Sequence, residues 1–173
     1  WNWHIQLFCD ELQAIAERVF KSIPREYDLL MNVAAATSKS SVCSILFAGP
    51  WTWTRMPSSR HLTASHTDAL ALDLANKSRQ VILSEKYREF FPNIRMRKDQ
   101  NTKGYFSNME GGDRLTCTVG GKTPMGFHGH FLCFPWIFSV AERPPRGAKR
   151  AGRSGTSSRA YRIRRVRKEM EMK

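Results

Sequence analysis

Strands alternating with helices, a small-residue loop joining the first strand to the second helix, and glycine punctuation late in residues 1–135 predict an α/β domain. The expected architecture is a parallel sheet with flanking helices, followed over residues 136–173 by a disordered basic tail. A chain of 173 residues supplies one domain and an appendage. Hydrophobic residues at 41% and charged residues at 25% exclude collagen-like, mucin-like and wholly disordered classes. The formal net charge of +13 is uneven, because residues 136–173 hold 12 Lys and Arg against 3 Asp and Glu.

Ile5, Phe8, Leu12, Ile15 and Val19 recur at steps of 3, 4, 3 and 4 with charged residues between them, which predicts an amphipathic helix over 4–20. After Pro24 and Tyr27, the run from Asp28 to Val33 reads as a short buried strand. Ala34 to Ser38 form a small-residue loop, and Lys39, Val42, Ile45 and Leu46 predict a second helix ending before Pro50. A turn at Met56-Pro57-Ser58-Ser59 precedes a strand over 61–65 and a long helix through Leu70, Leu72, Leu74 and Val81. Phe106, residues 114–119 and residues 130–134 supply later strands.

From Arg143 to Ala160, 17 of 18 residues are Arg, Pro, Gly, Ala, Lys or Ser, so no apolar face exists to bury. Within the tail, only Tyr161 to Met172 has the composition of a basic helix. No run approaches the ~18 apolar residues of a membrane span. Trp1-Asn2-Trp3-His4 lacks the charge and apolar block of a secretion leader, so the expectation is a soluble, cytoplasmic protein. The absent initiator Met suggests a fragment. Cys9, Cys43, Cys117 and Cys133 show no C-x-x-C spacing and are expected to be buried thiols.

Chemistry concentrates in Asn32-Val33-Ala34-Ala35-Ala36-Thr37-Ser38-Lys39-Ser40-Ser41. A Lys-Ser pair opening a helix directly after a buried strand has the placement of a phosphate-binding loop. Free helix N–H groups and the positive end of the dipole attract phosphate, Lys39 can reach β/γ-phosphates, and the Ser40 hydroxyl can hold Mg²⁺. The glycines that normally let such a backbone curl are replaced, with Ala36 three residues before Lys39. On these residues alone, a capped helix with an exposed lysine is the competing reading. His128, His130 and Cys133 lack a fourth partner at zinc-site spacing. No Ser/His/Asp set or paired-carboxylate site stands out. In the tail, Arg162, Arg164, Arg165, Arg167 and Lys168 are suited to salt-dependent, nonspecific nucleic-acid binding.

Several segments also recur in a recognisable order. They are Trp3-His4-Ile5 with Cys9-Asp10-Glu11-Leu12, Tyr27-Asp28-Leu29, Thr37-Ser38-Lys39-Ser40, Trp51-Thr52-Trp53, Thr63-Ala64-Ser65-His66, and Leu70 to Leu74 with Lys77-Ser78-Arg79. Asp99 to Phe106, Gly111-Gly112-Asp113-Arg114, Val119-Gly120-Gly121 and Gly126 to Phe131 complete the series. In this order, residues 1–134 resemble the ATPase domain of tailed-bacteriophage terminase large subunits.

The resemblance implies a P-loop NTPase-like fold that uses ATP and Mg²⁺ to drive double-stranded viral DNA into a procapsid. By position, Thr37, Ser38, Lys39 and Ser40 would bind the nucleotide, with Ser40 on Mg²⁺, and Thr63-Ala64-Ser65 would end a strand beside the site. Arg79 and Arg114 would stabilise charge on the transferring phosphoryl group, although each singly also reads as a surface arginine. Full-length relatives imply a terminase small subunit, a portal, self-assembly and the cytoplasm of a bacterial host.

Two departures alter that expectation. Ala34-Ala35-Ala36 stands where the family has Pro-Pro-Gly, and Pro135-Trp136 stands where an acidic pair should follow the strand ending at Phe134. A one-base shift across the Pro-Trp-Ile codons restores an Asp, so residues from about 135 onward are expected to be a frameshift product. The chain then reads as a hydrolysis-deficient ATPase fragment without the nuclease domain of full-length members. The rival is a non-enzymatic nucleic-acid-binding protein acting through its basic tail.

Overall fold

The computed structural model describes residues 2–24, 26–33, 36–118, 126–134 and 162–167. Helix α1 spans Trp3–Phe20 and buries Phe8, Leu12 and Ala16, one turn apart. Its opposite face is polar, with Gln6 bonded to Asp10 and Gln13 to Glu17 at i,i+4. Strand β1, Tyr27–Asn32, leads through the loop into a wide π-helix, Ser41–Trp51, and a short α2, Thr52–Arg55. Strand β2, His61–Ser65, is followed by α3, Asp68–Leu83, and α4, Glu85–Phe90. Thr67 and Ser84 cap these last two helices by accepting the Leu70 and Tyr87 N–H groups.

Strands β3 (Met96–Asn101), β4 (Tyr105–Asn108), β5 (Asp113–Thr118) and β6 (Phe131–Cys133) follow. Together with β2 they form a five-stranded sheet ordered β3-β4-β5-β2-β6. Strand β2 lies parallel to β5 and β6, with His61 opposite both Arg114 and Phe131.

The sheet is mixed, not wholly parallel as expected, because β3, β4 and β5 pair antiparallel. The reason is local: two tight turns reverse the chain, and only antiparallel strands can be joined so closely. At the first, the Thr102 N–H donates to the Tyr105 carbonyl at 2.9 Å; at the second, Asn108 N–H donates to the Gly112 carbonyl at 2.9 Å. A Cβ on Gly112 would meet the Pro57 carbonyl and lie 2.6 Å from the Asn108 amide nitrogen. Neither β3 nor α4 is anticipated by the sequence reading, since Met-Arg-Lys-Asp-Gln-Asn shows no apolar alternation.

The second helix ends ahead of Pro50 as expected: its geometry is broken at Ala48 and at Gly49 (φ 119), and helical backbone resumes beyond the break. Three further expectations change. Strand β1 stays outside the five-stranded sheet and pairs instead with β7, Arg162–Arg167. That tail segment is extended rather than a basic helix or a disordered run. Of the thiols, Cys43 is buried, Cys117 and Cys133 are half-buried, and Cys9 is exposed; all four are free.

One core cluster joins α1, β1, the π-helix and β6 through Phe8, Leu12, Met31, Val42, Phe47 and Phe131. Another gathers Trp53, Ala75, Ile82, Tyr87, Ile94 and Phe106 beneath α3 and α4. Among the described residues, no helix is long and apolar enough to cross a membrane.

Candidate functional site

Strand β1 carries the chain to Val33, which is 2% exposed and anchors the start of the loop in the first core cluster. Beyond it, Ala36 (φ 62) and Ser38 (φ 60) both hold left-handed backbone. Side chains with a Cβ resist that geometry by roughly 1–2 kcal/mol per residue. A loop curled this way turns successive N–H groups toward a common point, the arrangement that receives anions. The Val42 N–H then donates to the Ser38 carbonyl at 3.0 Å, tying the first helical turn to the loop.

Lys39 is 7% exposed, not an exposed lysine on a capped helix. It helps line a cavity of about 490 Å³ bounded by α1, β1, the π-helix and β6. Five consecutive β1 residues, Tyr27 to Met31, border this space, as do His130 to Phe134. Because alternate strand residues point to opposite faces, such continuous contact means that the cavity meets these segments along an edge.

The cavity also contains Cys43 and Cys133, whose thiols are held protonated by burial. Cys133 is raised to about 11 despite the opposing charge of Arg114, and Cys43 is raised further. Neither supplies a thiolate nucleophile near neutrality. Among the described residues, no group of three His, Cys, Asp or Glu is placed to hold a metal ion.

The other predicted site residues lie elsewhere. Thr37 is half-buried, Ser38 exposed and Ser40 half-buried, so all three remain with Lys39 at the loop. Arg79 is on α3, where its Nε donates to the Asn101 side chain on β3. Arg114 is fully buried, not a surface arginine, and its Nη1 donates to the Ala48 carbonyl at 2.8 Å. Ala48 is nine residues along the chain from Lys39. Thr63 on β2 is buried and hydrogen-bonded to Thr116 at 3.1 Å. The Pro135-Trp136 position lies outside the described residues.

Sequence reasoning missed the polar interior around Arg114. Breaking the helix at residues 48–50 releases buried carbonyls, and each finds a side-chain donor. Arg114 takes that of Ala48, Thr52 that of Gly49, and the Tyr87 hydroxyl that of Pro50 at 2.6 Å. His61 Nε2 is bonded to Thr52 at 2.7 Å and Ser59 at 3.1 Å, while its ring stacks on Phe131. The Gly49-Pro50 dipeptide was the visible signal of this break.

No family profile, curated protein or solved structure matches this chain. The functional reading therefore rests on the loop and its lysine.

Proposed function

We propose that this chain is a nucleotide-phosphate-binding α/β domain of the P-loop type, related to the ATPase part of terminase large subunits. The observation that carries the reading is the left-handed backbone of Ala36 and Ser38 immediately before the buried Lys39. Two unfavourable backbone positions so close together are the usual mark of a functional loop. In this reading, the N–H groups of residues 37–40 cradle the phosphates and Lys39 neutralises their charge. The Ser40 hydroxyl is the group that would meet Mg²⁺, and bound ATP would supply the reactive phosphoanhydride.

This reading assigns no phosphate contact to Arg79, bonded through its Nε to Asn101, or to Arg114, bonded through its Nη1 to the Ala48 carbonyl. Turnover is negligible, since Pro135-Trp136 replaces the metal-holding acids on which phosphoryl transfer relies. Packaging of double-stranded DNA, with a small subunit, portal, self-assembly and bacterial cytoplasm, belongs in this reading to the intact ancestral protein. Mg-ATP binding should weaken at least about tenfold in Lys39→Ala. Phosphate release by the parent should not exceed that of the variant. Equal binding by the two proteins rejects the loop reading, and faster release by the parent rejects the loss of hydrolysis.

A second reading is favoured by the charge of residues 136–173, net +9: nonspecific nucleic-acid binding by the tail. Deleting the tail should then lower DNA affinity by orders of magnitude. The log–log salt slope should also shrink by about 0.9 for each phosphate that is no longer neutralised.

A further inference from the structure

The cavity of about 490 Å³ that Lys39 borders has a lining the phosphate-binding reading leaves unused. Leu12, Met31, Phe47 and Phe131 contribute to it and are all buried in the first core cluster. Lys39 belongs with this buried part of the lining, and it is the sole lysine or arginine among the described residues bordering the space. Two further apolar side chains, Leu30 and Leu132, line the same cavity yet are 37% and 53% exposed. Apolar surface therefore extends from the interior to the open rim.

Such a lining selects its occupant. Sites for small organic molecules span roughly 300–1,000 Å³ and are walled mainly by apolar side chains, with a few polar groups that fix orientation. Aliphatic and phenyl walls offer no hydrogen bonds, so the body of a fitting ligand is one that needs none. The Lys39 ammonium, set among these walls, attracts an anion more strongly than it would in water, because the effective dielectric is lower there. Asp28 and His130 also border the cavity, but both are exposed, where water weakens the effect of charge. His130 is further engaged through its Nδ1, which accepts the Arg60 N–H at 3.1 Å. One buried cation and a continuous apolar surface match a single negative charge on a hydrocarbon chain.

We propose that this cavity binds an unbranched alkyl carboxylate, its chain along the apolar walls and its carboxylate held by Lys39. The inference shares a lysine with the phosphate-binding reading but does not depend on it.

Two measurements on the full chain test it. In the first, equilibrium dialysis compares decanoate with decanol, which has the same chain and no charge. The parent should bind decanoate at least about tenfold more tightly than decanol. Lys39→Met keeps an apolar stem and should remove that preference, with decanol affinity changing less than about twofold. Lys103→Met, which deletes an exposed charge elsewhere, should alter neither affinity by more than about twofold. Equal binding of decanoate and decanol by the parent, or equal losses in the two lysine variants, overturns the proposal.

The second measurement needs no change at Lys39. With methionine methyl groups labelled with ¹³C, decanoate should shift the Met31 resonance, identified by its loss in Met31→Leu. The Met109 resonance, from a side chain that is 65% exposed, should stay in place. A Met31 resonance unmoved at saturating decanoate refutes the site. If Lys39→Met loses Mg-ATP binding but keeps the decanoate preference, the loop reading stands and this inference falls. If it keeps Mg-ATP binding but loses the decanoate preference, the loop reading falls and this inference stands.

Discussion

Ala36 and Ser38 hold the strain of the loop, at φ 62 and φ 60. Glycine adopts that region freely, so Ala36→Gly should stabilise the fold by about 1 kcal/mol, measured as a higher denaturant midpoint. Ala36→Val should lower it, because a β-branched side chain clashes further with left-handed backbone. His61 makes a separate prediction about pH. Burial, then the charge of Arg114, then that of His130 push its pKa well below 6.5. The folded protein keeps the ring neutral, whereas the unfolded chain takes up a proton as pH falls through about 6.5. The unfolded state is therefore favoured progressively below that pH. Between pH 7 and pH 5, the urea midpoint of the parent should fall more steeply than that of His61→Gln. Parallel curves would remove His61 as the cause.

The helix break is the element whose energetics are least ordinary. Arg114 is fully buried, and burial lowers its pKa to about 10. Among the described residues its Nε and Nη2 have no hydrogen-bond partner, while its Nη1 satisfies Ala48. Arg114→Ala should destabilise the protein by about 3 kcal/mol, combining a cavity with an orphaned carbonyl. Arg114→Met should lose only about 1 kcal/mol, since removing the buried charge offsets the lost bond. Guanidinium denaturation of both variants checks this, and a Met variant as unstable as the Ala variant would show that the charge itself is needed. The amphipathic α1 and α3 were legible because their period is written in single residues. The edge strand β3 was not, because backbone pairing with β4 holds a segment whose side chains show no burial pattern. Gly49-Pro50 marked the helix break, but not the groups that satisfy the carbonyls it frees, Arg114, Thr52 and Tyr87, two of them distant in sequence.

At the scale of the whole molecule, β7 and the loop strand β1 form one two-stranded sheet. Removing residues 162–173 should speed hydrogen exchange of the Tyr27–Asn32 amides at least about tenfold and leave β2 and β5 protected. Unchanged protection of β1 would show that β7 is dispensable to it. The loop–helix junction at Ala36–Ser40 could be located from residue order, because small residues, a lysine and a serine after an apolar run are local features. That Ala36 and Ser38 bend left-handed was not local: a Cβ disfavours it, and the surrounding fold has to impose it. Composition and residue order by themselves determined an α/β body, an amphipathic first helix and a strongly basic end. Only the tertiary structure decided that Lys39 is buried, that Arg114 serves a helix break, and that six tail residues complete the ladder of β1. Each of these depends on residues far apart in the chain coming together, and periodicity in one segment holds no information about which partner will satisfy its backbone.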